Sequence, residues 1–239
     1  MGNQMIFKRY ELKYLLSTQQ KELLLKAMEP YMSLDQYGHT TIRNIYYDTD
    51  NFRLVRHSID HPAYKEKLRV RSYSQAKPED QVFVELKKKY ESVVYKRRMT
   101  ISDEQASDWL GGRIALPVYS QIAEEVEYFR SYYKTLRPAV FLSYEREAFY
   151  SLSGDDFRVT FDENILTRSE ELSLGSEIYG TPLLETGLIL MEIKTPGGIP
   201  LWMTHFLTSQ HLYKTSFSKY GTAYEKMIYP GLVGGCLYA

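Results

Sequence analysis

The stretch KEKLRVRSY, residues 65–73, alternates charged and apolar side chains, a pattern of period two that predicts a β-strand. Its cations Lys67, Arg69 and Arg71 fall on one face of that strand, and Leu68 falls on the other. A polar strand face is ordinary where a half-buried sheet meets water. The interpretation of this charged face therefore depends on whether other strands of the chain repeat the pattern.

Four further stretches repeat it: residues 9–13, 82–89, 157–162 and 189–194. For one strand alone, a solvated face remains the ordinary explanation. Over the whole set, however, cations dominate, and like charges opposite one another on neighbouring strands destabilise a sheet. We therefore expect an anion to compensate them. The cations on four of the strands are Arg69, Arg71, Lys87, Lys89, Arg158 and Lys194, beside single carboxylates such as Glu85 and Glu192.

Helix-like segments separate the strands, so the sequence predicts an α+β fold. We interpret residues 1–239 as one domain, because no stretch has the composition of a domain linker. The predicted helical segments are 17–32, 51–57, 102–110, 119–133, 200–212 and 218–227, and the longer loops are 75–81 and 169–186.

The composition is that of a globular protein, with 44% hydrophobic and 25% charged residues. Lys plus Arg and Asp plus Glu both number 30, so net charge gives no reason to expect nucleic acid or an anionic membrane as a partner. The single cysteine, Cys236, excludes an internal disulfide and a cysteine-based zinc site. The sequence shows no signal-peptide pattern and no apolar stretch near the roughly 20 residues that span a bilayer. We expect a cytoplasmic protein without membrane insertion, and the oligomeric state stays open.

If the sheet closes into a barrel, its apolar face can pack against the helices and its charged face can line the interior. Such an interior would hold a polyanion, because arginine forks and lysine charges suit phosphate oxygens. A few carboxylates at its mouth would hold Mg²⁺ or Mn²⁺, which prefer oxygen ligands and bridge to phosphates.

Seven segments, in order, resemble the polyphosphate polymerase domain of the vacuolar transporter chaperone (VTC) family, over about residues 5–228. That family belongs to the triphosphate tunnel metalloenzymes. The resemblance implies an antiparallel tunnel of eight strands, which is a closed barrel with a charged lumen and flanking helices, in a free-standing bacterial form. The segments are Arg9-Tyr-Glu-Leu-Lys13-Tyr, Lys67-Leu-Arg69-Val-Arg71, Val84-Glu85-Leu-Lys87-Lys-Lys89, Ser143-Tyr-Glu-Arg146-Glu-Ala-Phe149, Arg158-Val-Thr-Phe-Asp162, Met191-Glu192-Ile-Lys194 and Phe217-Ser218-Lys219-Tyr220.

The resemblance also implies polyphosphate synthesis, in which the terminal phosphoryl group of ATP passes to a growing polyphosphate chain with Mn²⁺ or Mg²⁺ as cofactor. Glu192 is then the leading metal ligand, and Glu85 and Glu11 are weaker candidates. The residues implied in catalysis are Arg69, Arg71, Lys87 and Lys194. The residues implied in phosphate binding are Lys13, Arg69, Arg71, Lys87, Lys89, Arg146, Arg158, Lys194 and Lys219.

The chain departs from the family pattern at two positions. Arg9 stands where the tunnel superfamily has the first of two glutamates, so only Glu11 remains, and Ser216 stands where eukaryotic members have a lysine, with Lys214 nearby. The reduced acidic set weighs against a hydrolase. The sensor domain and membrane segment of the eukaryotic proteins are absent from this sequence, so we expect neither sensor control nor translocation of the product. Two alternatives stay open: a tripolyphosphate or nucleoside triphosphate hydrolase, and a non-catalytic module that binds polyanions.

Three local patterns have competing interpretations. Asp48-Thr-Asp50 could hold a metal, but its position before a helix favours a cap. Arg146 is flanked by Glu145 and Glu147, so local ion pairing is an alternative to phosphate binding. Asp162 is interpreted as a strand-end residue that orients Arg158.

Overall fold

The computed structural model describes residues 10–91 and 93–234 and confirms the predicted α+β class. One antiparallel sheet of ten strands forms the centre of this part of the chain. Arg9 and Cys236 lie outside the described residues. The strands are β1 (Tyr10–Ser17), β2 (Met32–Leu34), β3 (Thr40–Asp48), β4 (Tyr64–Ser72), β5 (Gln81–Tyr90), β6 (Val93–Ser102), β7 (Arg137–Ser151), β8 (Arg158–Arg168), β9 (Thr181–Pro182) and β10 (Leu188–Thr195). The helices are α1 (Thr18–Met28), α2 (Arg53–Ile59), α3 (Asp103–Leu110), α4 (Gln121–Tyr132), α5 (Leu201–Ser209), α6 (Lys219–Ala223), a π-helical turn (Tyr224–Ile228) and α7 (Tyr229–Gly234).

Eight strands form a hydrogen-bonded path in the order β1-β10-β8-β7-β3-β4-β5-β6, with β2 added to β7 and β9 to β8. The predicted closed barrel is not shown, because no hydrogen-bonded ladder joins β1 to β6 within the described residues. The segment after α5 meets the edge of β1 instead, where the N–H of Thr215 donates to the carbonyl oxygen of Lys13 at 2.8 Å.

The sheet nevertheless curls with its charged face on the concave side. Glu11 on β1 and Lys87 on β5 belong to opposite ends of the strand path, yet their side chains form an ion pair at 2.9 Å. Because register partners in an antiparallel sheet share a face, the side chains aligned with this pair define the concave surface. We call this surface the inner face.

Apolar side chains pack the outer face against helices, as the alternating pattern predicts. One core joins β3–β6 to α3 and α4 around Trp109, and another joins β1, β8 and β10 to α1 and α5 around Phe161. A third core fills one end of the inner face, where Ile42, Tyr144 and Leu190 pack with residues of α2 and α6. No helix in the described part of the chain has the length and apolar character needed to cross a bilayer.

Side-chain caps fix the starts of α1 and α3. The hydroxyl of Ser17 accepts the N–H of Gln20, and the amide side chain of Gln20 accepts the N–H of Ser17, which completes a capping box at α1. Ser102 and Gln105 repeat this arrangement at α3. The sequence therefore sets where these helices begin.

Asp48 caps α2 and ties it to α6. Its buried carboxylate accepts the N–H groups of Leu54 and Val55 at 2.8 and 2.9 Å, and the hydroxyl of Tyr220 at 2.8 Å. These contacts confirm the cap interpretation of Asp48-Thr-Asp50, since every one of them serves helix packing.

Candidate functional site

The inner face carries the charged residues that the sequence singled out. Register pairing along the strands from β1 to β6, which continues across register shifts between β3 and β7 and between β7 and β8, places them on one surface. Lys219 reaches this surface from α6. The cations are Lys13, Lys65, Lys67, Arg69, Arg71, Lys87, Lys89, Lys96, Arg98, Arg146, Arg158, Lys194 and Lys219, and the carboxylates are Glu11, Glu85, Asp162 and Glu192.

Glu85 lies at the centre of one cluster of cations, which we call the Glu85 cluster. Its carboxylate is 1% exposed and lies 2.7 Å from Arg69, 2.5 Å from Arg98, 2.7 Å from Lys96 and 3.9 Å from Arg71. Burial alone would raise the pKa of Glu85, but Arg69 and Arg71 outweigh it and hold this pKa well below its usual range. Glu85 is therefore an ionised counter-ion for four neighbours.

Asp162 and Glu192 form the second cluster, which we call the Glu192 cluster. Arg146 binds Asp162 through two parallel hydrogen bonds of 2.6 and 2.7 Å, and Lys219 binds the same carboxylate at 2.5 Å. Burial opposes ionisation of both carboxyls, but Arg146 and Lys219 lower the pKa of Asp162, and Lys219 with Lys13 lowers that of Glu192. The distances from Glu192 to Lys13, Arg146, Lys194 and Lys219 are 3.5, 3.9, 3.6 and 3.4 Å.

These contacts correct two interpretations. Asp162 binds Arg146 and Lys219 and does not orient Arg158, which lies four residues away on the same strand, at its exposed end. Local pairing of Arg146 with Glu145 is also wrong, because side chains alternate between faces along β7 and Glu145 accepts a hydrogen bond from Asn164 instead.

Glu11 and Lys87 link the two ends of the sheet. Burial would raise the pKa of Glu11, but Lys87 and Lys194 reverse this effect and lower the pKa to about 2. Glu11 is thus a carboxylate at every physiological pH.

Several inner-face cations have no carboxylate partner in the described residues. Lys67 is half-buried and its ammonium donates to the Ser218 hydroxyl at 2.9 Å. Burial, and then the charges of Lys13 and Lys87, lower the pKa of Lys67 to about 7. Such a concentration of uncompensated cations favours a bound anion. Among the residues that the structure describes, the other inner-face cations without an ion pair are Lys65, Lys89 and Arg158.

The carboxylates do not form a ready-made metal cage. Within residues 10–91 and 93–234, no group of three or more His, Cys, Asp or Glu side chains could hold a metal ion. Glu11 and Glu192 do lie on neighbouring strands, paired in register with Lys194 and Lys13, whereas Glu85 lies on the distant strand β5. Mg²⁺ commonly uses one or two carboxylates, with phosphate oxygens and waters completing its shell. The donor set around Glu192 fits that open arrangement, and Glu85 does not share it.

Sequence reasoning missed functional candidates on β6. Lys96 and Arg98 pair in register with Lys87 and Glu85, so they belong to the same surface as the predicted residues. The pKa of Lys96 is lowered to about 7, mainly by burial. The charge of Glu85 raises this pKa, and the charges of Arg69 and Arg98 lower it. The sequence did contain a signal for this strand: Lys96 and Arg98 are two residues apart, as Arg69 and Arg71 are, which is the spacing of side chains on one strand face.

Comparisons with known proteins agree with this geometry. The model of the VTC domain matches residues 8–228 of the chain. The fold is similar to that of a candidate adenylate cyclase from Bacillus halodurans, at 16% identity and a TM-score of 0.55, covering 90% of this chain and 95% of that one. It is also similar to a candidate adenylyl cyclase from Hippeastrum whose structure is said to reveal a dominant triphosphatase activity, at 16% identity and a TM-score of 0.52, covering 89% and 93% of the two chains. No curated protein matches this sequence.

Proposed function

Because the chain belongs to the VTC domain family, we propose that it makes polyphosphate by metal-dependent transfer of the terminal phosphoryl group of ATP to a growing chain on the inner face. The observation that carries the proposal is the excess of cations over carboxylates on a concave, partly buried surface. A phosphate chain would supply the missing negative charge, with oxygens matched to arginine forks and lysine ammonium groups.

Each set of residues has a distinct part in this proposal. Arg69, Arg71, Lys87 and Lys194 stabilise the charge of the transferring phosphoryl group, and Lys13, Lys89, Arg146, Arg158 and Lys219 hold the rest of the chain. The two cation clusters are already positioned by their carboxylates, so little reorganisation is needed when phosphate binds. Phosphoryl transfer depends on positioning and charge stabilisation, so no nucleophilic side chain is required.

Glu192 is our leading metal ligand, followed by Glu11. Glu85 ranks last because Arg69, Lys96 and Arg98 lie only 2.5–2.7 Å from its carboxylate oxygens, whereas the cations around Glu192 lie at 3.4–3.9 Å. Mn²⁺ or Mg²⁺ bound there would neutralise charge on the reacting phosphates. We place the reaction in the cytoplasm, with ATP and polyphosphate as partners and without nucleic acid, since positive and negative residues balance over the whole chain.

A triphosphate hydrolase is the second candidate. The activity named for the Hippeastrum protein favours it, because the same surface could present water instead of a growing chain. A non-catalytic polyanion-binding module would keep the basic inner face and lose turnover.

The test is to incubate the purified protein with ATP and Mn²⁺ or Mg²⁺ and to separate the phosphate products by size on a gel. We expect a ladder of long chains. Free phosphate and ADP without a ladder would identify the hydrolase, and tight binding of tripolyphosphate without turnover would identify the binding module. Failure to bind any polyanion would overturn the proposal.

A further inference from the structure

A cavity of ≈ 180 Å³ lies at the turn between β7 and β8, on the opposite side of the sheet from the inner face. Of the nine residues that line it, three are aromatic and three are polar. The residues that give it this character are Tyr31, Ser151, Ser153, Asp155, Phe157 and Trp202.

The aromatic wall is flat. The rings of Tyr31 and Trp202 stack with centroids 4.7 Å apart and planes inclined by 5°, and Phe157 packs its edge against Trp202 at 6.2 Å. Tyr31 remains 44% exposed, so the stack is open to a ligand. Planar rings of this kind bind heterocyclic bases by stacking, whatever the base.

The polar wall can recognise the edge of a base. The Asp155 carboxylate accepts the N–H of Phe157 at 3.1 Å and the hydroxyl of Ser153 at 3.0 Å. A carboxylate has about four acceptor positions, and Ser151 also hydrogen-bonds to this one, so one position remains for a donor on a ligand. Amino groups on a purine are such donors.

The position of the cavity links it to the inner face. The turn that lines it begins after Tyr150 and ends before Arg158, and these two residues are register partners on the inner face. Phe157 of the cavity and Arg158 of the inner face are adjacent, about 3.8 Å apart between Cα atoms. A molecule that fills the cavity can therefore extend past the end of the sheet to the basic surface.

We propose that this cavity binds the purine base of a nucleoside triphosphate whose phosphates lie on the inner face, which makes a nucleotide bind more tightly than inorganic triphosphate. This inference rests on the proposed function, because it assumes that the inner face holds the phosphates. Tyr31, supported from behind by Trp202, would stack on the base, and Asp155 would accept a hydrogen bond from its amino group.

The test compares the affinities of ATP and inorganic tripolyphosphate by calorimetry. Leu152 lines the cavity and is 58% exposed, so Leu152→Trp should fill the cavity without disturbing the core. We expect ATP to bind at least tenfold more weakly to this variant and tripolyphosphate to bind as before. Asp155→Asn, which keeps the shape of the side chain, should weaken ATP binding by several-fold in the same selective way. The matched control is Leu201→Trp, since Leu201 is 75% exposed and outside the cavity wall, and it should change neither affinity.

The outcomes separate this inference from the proposed function. If wild-type protein binds tripolyphosphate, but Leu152→Trp changes both affinities equally or neither, the base site is wrong and the phosphate site stands. If wild-type protein binds neither ligand, both are wrong.

Discussion

Each buried carboxylate of the inner face neutralises several cations, and this decides what a substitution does. Glu192 lies within 4 Å of Lys13, Arg146, Lys194 and Lys219. A buried charge without a partner is costly, so removing the carboxylate leaves cations that need another anion. Phosphate binding and metal binding should therefore respond in opposite directions when Glu192 loses its charge.

Glu192→Gln is the substitution that separates these roles. We expect metal-dependent turnover to fall at least a hundredfold, because the leading metal ligand is lost, while tripolyphosphate binding without metal stays the same or tightens. Product gels and metal-free calorimetry measure the two effects. Glu85→Gln is the matched control, since Glu85 is also a buried counter-ion but lies away from the Glu11 and Glu192 pair. Full turnover in Glu192→Gln, or equal loss in both variants, would contradict the metal assignment.

We expect Lys67 to make the affinity for polyanions dependent on pH. Burial and the charges of Lys13 and Lys87 lower its pKa to about 7, so the free protein loses this cation as pH rises through 7. A bound phosphate chain favours the charged form and raises the pKa. We expect tripolyphosphate affinity to weaken between pH 6 and 8 and binding at pH 8 to take up protons. Calorimetry in buffers of different ionisation enthalpy counts these protons.

Lys67→Arg should remove part of this pH dependence, because arginine keeps its charge throughout the range. The exposed Lys134→Arg is the control and should behave as wild type. The stability of the free protein also depends on pH, because folding lowers the pKa of Lys67 from 10.5 to about 7. This pKa shift destabilises the folded protein fully below pH 7, and the destabilisation decreases as the pH rises from 7 toward 10.5. Identical proton uptake in Lys67→Arg and wild type would exclude Lys67 as the source.

At the scale of elements, the period-two pattern predicted strands wherever one face was charged along its length. It missed β6, because the run Lys96-Arg97-Arg98 has no apolar residue to mark the outer face. Arg97 points outward, and Glu125 of α4 pairs with it at 3.2 Å, a tertiary contact that no local pattern contains. Alternation identifies two faces only where their polarity differs.

One buried polar contact of α6 can be tested without changing the ion pairs of Lys219. Tyr220→Phe removes the hydroxyl that donates to Asp48, leaving a buried carboxylate with fewer partners. We expect a loss of about 1.5–3 kcal/mol in the free energy of unfolding, the range for hydrogen bonds to charged groups. Tyr224→Phe is the matched control, because its hydroxyl makes no hydrogen bond to another described residue, and chemical denaturation should show almost no change. Equal effects would mean that ring packing, not the bond to Asp48, holds the helix.

For the whole molecule, the sequence predicted which residues share a face but not how the sheet ends meet. Alternation fixes side-chain direction, whereas closure depends on twist and on which backbone edges find partners. Here the ends approach through the Glu11–Lys87 ion pair, and Thr215 donates to the free edge of β1. Both contacts join residues far apart in sequence, so no local pattern predicts them, and the closed barrel that the resemblance implied is not shown within the described residues.

The charge of the inner face should make the stability of the whole protein depend on polyanions more than on salt. A ligand that binds only the folded state, at a concentration of 100 times its Kd, adds about 2.7 kcal/mol to the free energy of unfolding. This increase raises the Tm of a protein of this size by about 5–10 °C. Sodium chloride at the same ionic strength screens the repulsion but cannot form bidentate contacts with Arg69, Arg71 or Arg146, so we expect a smaller rise. Differential scanning calorimetry with tripolyphosphate and with matched sodium chloride provides the measurement. Equal rises in Tm would show that the cations act only through general screening, and the inner face would then have no specific anion site.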